Sequence, residues 1–511
     1  MESMQGLCAI RGNLVYAPAL GQLTTLSPGY IITRDGLVEG VLDRLPPHWG
    51  GEVVNYGDAV ITPGFCDMHL HAPQFPMLGL GMDLQLLEWL QTYTFPTEAR
   101  FADVEYAKIV YQRLAKELIR RGTTRICAFS SVHRPATHVL MTQLEKAGVT
   151  GYVGKVNMDR NGGDLLTEDT QASIRETRLF LEECSAYPHL KPILTPRFVP
   201  SCSDALLDAL GKLAQEFPQV PVQSHLSENL DEIAWVRQLH PDCKQYWQAY
   251  DKFGLFQKGT LMAHCVYSDE QERKAIRDAG VVVVHCPDSN TSVASGIAPL
   301  RRMLDEGLNV VMGSDIAGGA KLSMPDVATE AIRVSKLRWL QSGKAEPFLT
   351  VREAFYLITT AGQAYFGAKP GFGIGEPLHA VVFNDSRFAF NPTISLEERL
   401  ERIMDARTGE NRSRLQSREE RLSHAMDRRM ENDKKRLAEA SGRLWGLSPL
   451  RKLSQGFGYI EDQEGKRLGS VKQAPPGSGI TVQVADGTLS ALVTERNEES
   501  GWQNWIKTEQ T

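Results

Sequence analysis

Residues 63–365 alternate short apolar runs with longer amphipathic segments. The segment Val104–Arg121 has apolar positions at helical spacing, and Gly122 separates it from the next apolar run. The run before His69 and seven later runs are predicted strands: residues 123–129, 151–156, 190–195, 220–225, 260–264, 281–285 and 309–315. Eight strands with helices between them predict an α/β fold with a (β/α)8 TIM-like barrel. An open doubly wound sheet is the alternative, but no Gly-rich phosphate turn follows the first strand.

The pattern changes after the barrel region. Residues 396–445 are rich in charged side chains, with Leu and Met at seven-residue spacing, and this predicts a charged helical arm. Short apolar runs then return at 458–460, 480–484 and 489–493. They predict a small β module over residues 446–495, followed by a polar tail at 496–511.

Composition adds few constraints. The 511 residues are 42% hydrophobic and 23% charged with a net charge of −6, which gives no reason to expect a nucleic-acid or membrane surface. The first residues lack the pattern of a signal peptide, and no apolar run is long enough to cross a bilayer. Eight scattered cysteines without a Cys-x-x-Cys pair indicate reduced thiols. We therefore expect a cytoplasmic protein.

Several predicted strands of the barrel end in side chains that bind metals. His69 and His71 lie one residue apart, so on a strand they share one face. His225, His264 and Asp315 also stand where apolar runs stop, and the carboxyl ends of barrel strands converge on one mouth. A lone histidine at a strand end is more often a core residue. The whole set, however, predicts a first shell for Zn²⁺ with one position left for water, and hence metal-assisted hydrolysis.

Glu228 follows His225 by three residues. If the strand ends at His225, the Glu228 carboxylate faces back into the mouth, where it serves as a proton donor and acceptor. The alternative is a carboxylate that only stabilises the start of a helix.

The chain resembles the amidohydrolase superfamily, and within it the guanine deaminase family, over about residues 5–405. The superfamily motifs are Pro63-Gly64-Phe65, His69-Leu70-His71, Ser224–Asn229, Ala263-His264 and Gly313-Ser314-Asp315. The segments that resemble guanine deaminases are His71–Gln74, Leu87–Leu90, Tyr93–Glu98, Pro196–Ser203, His285–Asn290 and Asp315–Gly319.

The resemblance implies a role for each candidate residue. It implies that His69, His71, His225 and Asp315 hold one Zn²⁺ per chain. It also implies proton transfer by Glu228, by His264 and by Asp315 as catalytic residues, and guanine binding by Gln74 and Arg197 with Phe198 beside the ring. This agrees with the residue chemistry, since an amide offers a donor and an acceptor to a purine edge and a guanidinium suits a carbonyl. The implied reaction is deamination of guanine to xanthine, in a homodimer.

The resemblance also bears on the parts outside the barrel. Residues 7–16 and 30–38 are predicted strands, and residues 1–62 with 366–395 correspond to the small β-sandwich that flanks the barrel in this superfamily. The segment Gly373–Val382 lacks the acidic residue usual before its apolar strand. Residues 421–495 instead resemble the end of the exonuclease VII large subunit. The nuclease part of that family has no counterpart here, so we expect no nucleic-acid substrate.

Two other functions remain open at this stage. The same site could act on 8-oxoguanine, on another purine or pterin, or on an s-triazine. A protein of another class would be a scaffold or a DNA-complex module that uses its C-terminal segment and carries an inactive barrel. The complete ligand set together with Glu228 and His264 counts against an inactive barrel.

Overall fold

The computed structural model describes residues 6–385, 394–404 and 449–498. The chain divides into two compact units, Met1–Asn411 and Arg412–Thr511. Among the described residues the strands are β1 (Leu7–Tyr16), β2 (Thr24–Arg34), β3 (Leu37–Leu42), β4 (Glu52–Pro63), β5 (Phe65–His71), β6 (Thr123–Phe129), β7 (Thr150–Gly154), β8 (Val156–Asn157), β9 (Leu190–Pro192), β10 (Thr195–Pro196), β11 (Gln223–Leu226), β12 (Leu261–His264), β13 (Val282–His285), β14 (Asn309–Met312), β15 (Ala380–Phe383), β16 (Tyr459–Asp462), β17 (Gly479–Val484) and β18 (Gly487–Leu492).

The helices of the same residues lie mainly between the barrel strands. They are α1 (Leu86–Trp89), α2 (Phe95–Ala99), α3 (Val104–Arg120), α4 (Arg134–Ala147), α5 (Thr170–Glu183), α6 (Asp204–Glu216), α7 (Leu230–Leu239), α8 (Gln248–Asp251), α9 (Glu270–Ala279), α10 (Pro287–Ser292), α11 (Leu300–Asp305), α12 (Met324–Gln341), α13 (Val351–Ile358), α14 (Thr360–Tyr365), α15 (residues 396–404) and α16 (Pro449–Ser454). A π-helical turn at Leu90–Thr94 joins α1 to α2.

Two sets of four parallel strands form most of the barrel. The first is β5-β6-β7-β9 and the second is β11-β12-β13-β14. A parallel bridge between Leu194 and Val222 links the sets on one side. On the other side the amide N–H of Asp315 donates to the His69 carbonyl at 2.8 Å. The predicted α/β barrel with eight principal strands is therefore confirmed.

Helix α3 illustrates why the predicted elements form. Asp103 caps its start, since its side chain accepts hydrogen bonds from the amides of Glu105 and Tyr106. Its buried side chains recur three or four residues apart, which places them on one face: Ala107, Val110, Tyr111, Leu114, Ala115 and Leu118. That face covers the barrel strands, so the helix is stable because its apolar stripe is removed from water.

A five-stranded sheet with the order β15-β4-β1-β2-β3 lies outside the barrel strands. The prediction of one strand over residues 30–38 is wrong. β2 ends at Arg34 and β3 begins at Leu37, because Asp35 (φ 52°) and Gly36 (φ 81°) form a two-residue turn. Positive φ at both positions is typical of the hairpin turn that Asp-Gly favours, so the chain reverses direction here and β3 pairs with β2.

Helix α15 packs against the core of the barrel. Leu400, Ile403 and Met404 are at most 4% exposed within the same apolar cluster as the barrel strands. The guanidinium of Arg399 donates to Asp385 at 2.8 Å and to Asp58 at 3.1 Å. The rest of the predicted charged arm, residues 405–445, lies outside the described residues, as do residues 446–448 of the predicted β module.

The second unit contains a three-stranded antiparallel sheet with the order β16-β17-β18. Its strands coincide with the three runs predicted near residues 458–460, 480–484 and 489–493. Within the parts of the chain that the structure describes, no helix is both long and apolar enough to cross a membrane.

Candidate active site

Four predicted metal ligands, here called the ligand set, meet at the carboxyl ends of β5, β11 and β14. They are His69, His71, His225 and Asp315. The His71 and His225 Nε2 atoms lie 3.1 Å apart, and the His69 Nε2 is 3.1 Å from Asp315 Oδ1. The His71 Nε2 is 3.4 Å from the same oxygen. Ligand atoms about 2.0 to 2.1 Å from a tetrahedral ion are separated from one another by about 3.3 Å. The observed distances therefore fit one small cation at the centre of this group.

Hydrogen bonds fix which nitrogen of His225 and of His264 faces the centre. The Nδ1 of His225 donates to the Arg197 carbonyl at 2.6 Å, and the Nδ1 of His264 donates to Asn290 Oδ1 at 2.8 Å. In their neutral forms both imidazoles therefore carry the lone pair on Nε2, as metal binding or proton acceptance requires. The Nε2 atoms of His69 and His264 are buried without a hydrogen-bond partner. The donor set thus fits a metal ion.

The electrostatics of the site favour neutral imidazoles at His69, His71 and His225 and an ionised carboxylate at Asp315. At His264 burial opposes the charged form, but Glu228 and Asp315 raise the pKa. Burial lowers the pKa of His69, and it lowers the pKa values of His71 and His225 well below the usual range. Burial opposes ionisation of Asp315, but the facing imidazoles of His69 and His264 hold its pKa well below the usual value. These protonation states are the ones in which the side chains bind a cation.

The backbone is strained at the same strand ends. Four non-glycine residues there have positive φ: Ser227 (48°), His264 (75°), Cys265 (47°) and Asp315 (45°). Left-handed conformations of non-glycine residues are costly and concentrate at functional sites, where the surrounding structure imposes them. Here the four residues turn the chain as it leaves the strands, and two of them, His264 and Asp315, are themselves side chains of the mouth.

Glu228 lies in this mouth, as the sequence predicted. Its Oε2 is 3.5 Å from His264 Nε2, and its Oε1 accepts a hydrogen bond from the Ser295 hydroxyl at 3.0 Å. Its backbone amide donates to Glu232 Oε2 at 3.0 Å, which fixes the turn after β11. Burial raises the pKa of Glu228 from 4.5 to about 7, although His264 opposes this increase. At neutral pH the group is thus poised to exchange a proton.

A cavity opens beside the ligand set. The predicted substrate-binding residues Gln74, Arg197 and Phe198 line it together with Glu228, His264 and Asp315. Its other walls were not predicted and are mostly apolar: Leu86, Trp89, Leu90, Ser289, Val293 and Gly318. An apolar cavity with a few convergent polar groups is typical of a small-molecule site.

Glu98 joins two of the predicted substrate-binding residues. Its Oε1 accepts from Gln74 Nε2 at 2.8 Å and from Arg197 Nη2 at 3.0 Å, and its Oε2 accepts from Arg197 Nη1 at 2.5 Å. Glu98 lies within a segment that resembles guanine deaminases, but the sequence predicted no role for it. Ser295 and Asn290 were likewise not predicted as parts of the site.

A barrel with this ligand set at its mouth is the architecture of a metal-dependent hydrolase. The chain belongs to the amidohydrolase family, whose family model matches residues 60–392. Guanine deaminase of Dictyostelium discoideum is 41% identical over 61% of this chain and 69% of that protein, and the Escherichia coli enzyme is 36% identical over 68% and 78%. A crystal structure of guanine deaminase from C. acetobutylicum with bound guanine in the active site is 44% identical, covers 78% of this chain and 96% of that one, and has a TM-score of 0.76.

A second family model matches the C-terminal region. The model of the exonuclease VII large subunit matches residues 387–492. The resemblance predicted for residues 421–495 is confirmed, and the match begins earlier in the chain.

Proposed function

We propose that this protein catalyses the hydrolytic deamination of guanine to xanthine and ammonia. The observation that carries the proposal is the presence of the ligand set, Glu228 and the Gln74–Arg197 pair around one cavity. The similarity to a guanine deaminase with bound guanine supports the choice of ring. The same residues would otherwise be unrelated features of four separate segments of the chain.

Within this proposal, His69, His71, His225 and Asp315 hold one Zn²⁺ per chain. The distances between their ligand atoms and the unpartnered Nε2 of His69 support this assignment. A zinc ion bound there supplies Lewis-acid chemistry that makes hydroxide available from water near neutral pH.

The ring is oriented by the polar wall of the cavity. The Arg197 guanidinium has N–H groups that Glu98 does not occupy, and these suit the C6 carbonyl of guanine. The Gln74 amide offers a donor to the same edge, and Phe198 packs beside the ring. This arrangement directs C2 and its amino group toward Glu228 and the ligand set.

Proton transfer is assigned to Glu228, His264 and Asp315. Glu228 donates a proton to the ring nitrogen next to C2, which makes that carbon electrophilic as the water oxygen bonds to it. His264, whose Nε2 is 3.8 Å from Asp315 Oδ2, accepts the proton of the attacking water. The amino nitrogen then takes the proton held by His264, and the C2–N bond breaks so that ammonia leaves. The proton of the C2 hydroxyl passes to Glu228, which leaves the C2 carbonyl of xanthine and restores both side chains.

The remaining assignments follow from the family resemblance. We propose that the protein is a cytoplasmic homodimer and that residues 1–62 and 366–395 form the small flanking domain, with the barrel over 63–365. Residues 396–404 of the predicted charged arm at 396–445 pack against the barrel core, whereas the rest of the arm, the β module at 446–495 and the tail at 496–511 would be additions to the deaminase. The five-stranded sheet that contains β1–β4 and β15 supports the assignment of the small flanking domain.

The test is a spectroscopic screen of purified protein with guanine, 8-oxoguanine, adenine, cytosine and melamine, with ammonia measured in parallel. We expect guanine to give the highest kcat/KM and ammonia to form in equal amount to xanthine. No ammonia from guanine with zinc-loaded protein, or faster turnover of another ring, would overturn the assigned substrate.

A further inference from the structure

The purine-binding wall of the cavity depends on a buried carboxylate that does not itself line the cavity. Glu98 is 1% exposed and Arg197 is 2% exposed, and both guanidinium Nη atoms donate to it. The same carboxylate accepts from the Gln74 amide. Gln74 and Arg197, the two side chains assigned to bind the ring, are thus both anchored by the Glu98 carboxylate.

This contact determines how the Gln74 amide is oriented. Glu98 offers only acceptors at this position, whereas the backbone amide of Ala317 offers only a donor and lies 2.9 Å from Gln74 Oε1. One orientation of the amide satisfies both neighbours, and it leaves the second Nε2 hydrogen for the cavity. A neutral amide in place of the carboxylate can donate as well as accept, so it would no longer require that orientation of the Gln74 amide.

Helix α2 holds Arg197 through two side chains. Glu98 binds the edge of the guanidinium, and the ring of Phe95 lies 5.3 Å from Arg197 Cζ. Residues three apart on a helix share a face, so Phe95 and Glu98 constrain the guanidinium together. A bidentate carboxylate and an aromatic ring leave the guanidinium little freedom to turn.

The pair also sets the charge of the wall. The guanidinium of Arg197 carries a full positive charge in a buried place, and the carboxylate of Glu98 cancels it at hydrogen-bond distance. The cavity therefore presents donors to a ring oxygen without a net positive charge. Such a wall accepts a neutral ring and gives no advantage to an anionic ring of the same shape.

We propose that Glu98 is the positioning residue that aligns Gln74 and Arg197 and makes the site selective for a neutral purine over an anionic one. This inference rests on the proposed function, since it assigns the two aligned residues to purine binding. It predicts that loss of the negative charge weakens guanine binding and strengthens the binding of anionic purines.

The test compares Glu98→Gln, Glu98→Asp and the wild type, each loaded with zinc. Guanine is the neutral ligand, and urate, a monoanion at neutral pH, is the competitive inhibitor. For Glu98→Gln we expect the KM for guanine to rise at least about tenfold, kcat to change less, and the ratio of guanine KM to urate Ki to rise by at least about tenfold. Glu98→Asp keeps the charge but retracts it, so KM rises while that ratio stays within about threefold of wild type.

A matched control is Glu306→Gln, because Glu306 also forms a bidentate pair, with Arg273, at 2.9 Å for both contacts. Loss of that pair is expected to lower stability without changing KM or the urate preference. A merely structural role of Glu98 would give the same result as this control. Zinc-loaded Glu98→Gln with wild-type KM and wild-type urate preference would overturn the inference.

Failure of this inference can be distinguished from failure of the proposed function. If Glu98→Gln does not retain zinc, the KM of Glu98→Asp for guanine is the deciding measurement, and a wild-type KM in that variant overturns the inference. If wild-type protein turns over no guanine, the proposed function fails. In that case calorimetric titration of urate into the wild type and Glu98→Gln still tests whether loss of the negative charge strengthens the binding of an anionic purine. Unchanged affinity for urate overturns the inference.

Discussion

The hydroxyl of Ser295 donates a hydrogen bond to Glu228 Oε1 at 3.0 Å, although the two residues are 67 positions apart in the chain. This contact leaves the other carboxylate oxygen facing His264. A hydrogen bond to a carboxylate favours its ionised form, so Ser295 limits how far burial raises the pKa of Glu228. The hydroxyl thereby tunes the group that is proposed to protonate the ring.

The pH dependence of the reaction follows from this pKa. Because the folded protein raises the pKa of Glu228 to about 7, the protonated form is present below that pH and is lost above it. We expect kcat/KM for guanine to fall by about tenfold per unit as pH rises beyond about 7. In Ser295→Ala the pKa of Glu228 increases further, so the fall begins at higher pH. An unchanged profile in that variant would contradict the assignment.

Replacement of Glu228 by glutamine removes the proton donor but keeps the shape of the side chain. We expect at least about a 10²-fold loss in kcat, the scale of general acid catalysis, with zinc content unchanged. Glu272→Gln is the control, since Glu272 is also a buried glutamate but lines a different cavity. Near-normal turnover by Glu228→Gln would exclude the proposed role.

Metal content distinguishes ligands from other buried histidines. His225→Ala is expected to lower zinc below about one tenth of the wild-type content, because it removes one of four ligands. His285 ends the neighbouring strand β13 but lines a separate cavity, so His285→Gln is expected to retain zinc. Metal analysis of both folded variants is the measurement, and equal loss of zinc in the two would contradict the ligand set. Chelation of the wild type should abolish ammonia release.

Glu272 gives a prediction about stability. Burial raises its pKa from 4.5 to about 7, so the folded protein binds a proton that the unfolded chain releases between these pH values. Stability therefore falls as pH rises from about 4.5 to about 7, by at most roughly 3 kcal/mol. Glu272→Gln should unfold at higher denaturant concentration than wild type at pH 8, and at a similar concentration at pH 4.5. A constant difference across this range would contradict the shifted pKa.

Two truncations test where the deaminase ends. Residues 1–411 retain helix α15, so this fragment is expected to fold, bind zinc and turn over guanine at close to the full-length rate. Residues 1–393 lack Leu400, Ile403 and Met404, whose burial contributes about 1.5 to 3 kcal/mol each. That fragment is expected to be poorly stable. Thermal denaturation measures both, and equal stability would show that α15 is dispensable.

The sequence was informative where local pattern decides the outcome. All eight principal barrel strands were predicted, because each is an apolar run bounded by turns, and the candidate metal ligands were singled out because they stand where such runs end. The hairpin at Asp35 was missed although Thr33–Gly36 separate the apolar positions 30–32 from 37–38. Its Asp-Gly pair was the signal that should have divided the strand.

Contacts between distant segments were harder to predict. Glu98 is 99 positions from Arg197, and only the folded barrel brings the two together. Nothing in local spacing distinguishes such a buried carboxylate from one on an exposed helix. Glu232 is an exception, because its place three residues after the helix cap at Asn229 is a recognisable capping pattern. Its second role, in fixing the turn at Glu228, follows only from the structure.

The hydrogen bond between Asp315 and His69 joins the first and the last strand of the barrel, and both residues belong to the ligand set. A chain still being synthesised therefore has no complete cation site until residue 315 has left the ribosome. Closure of the barrel therefore also brings together residues of the proposed cation site.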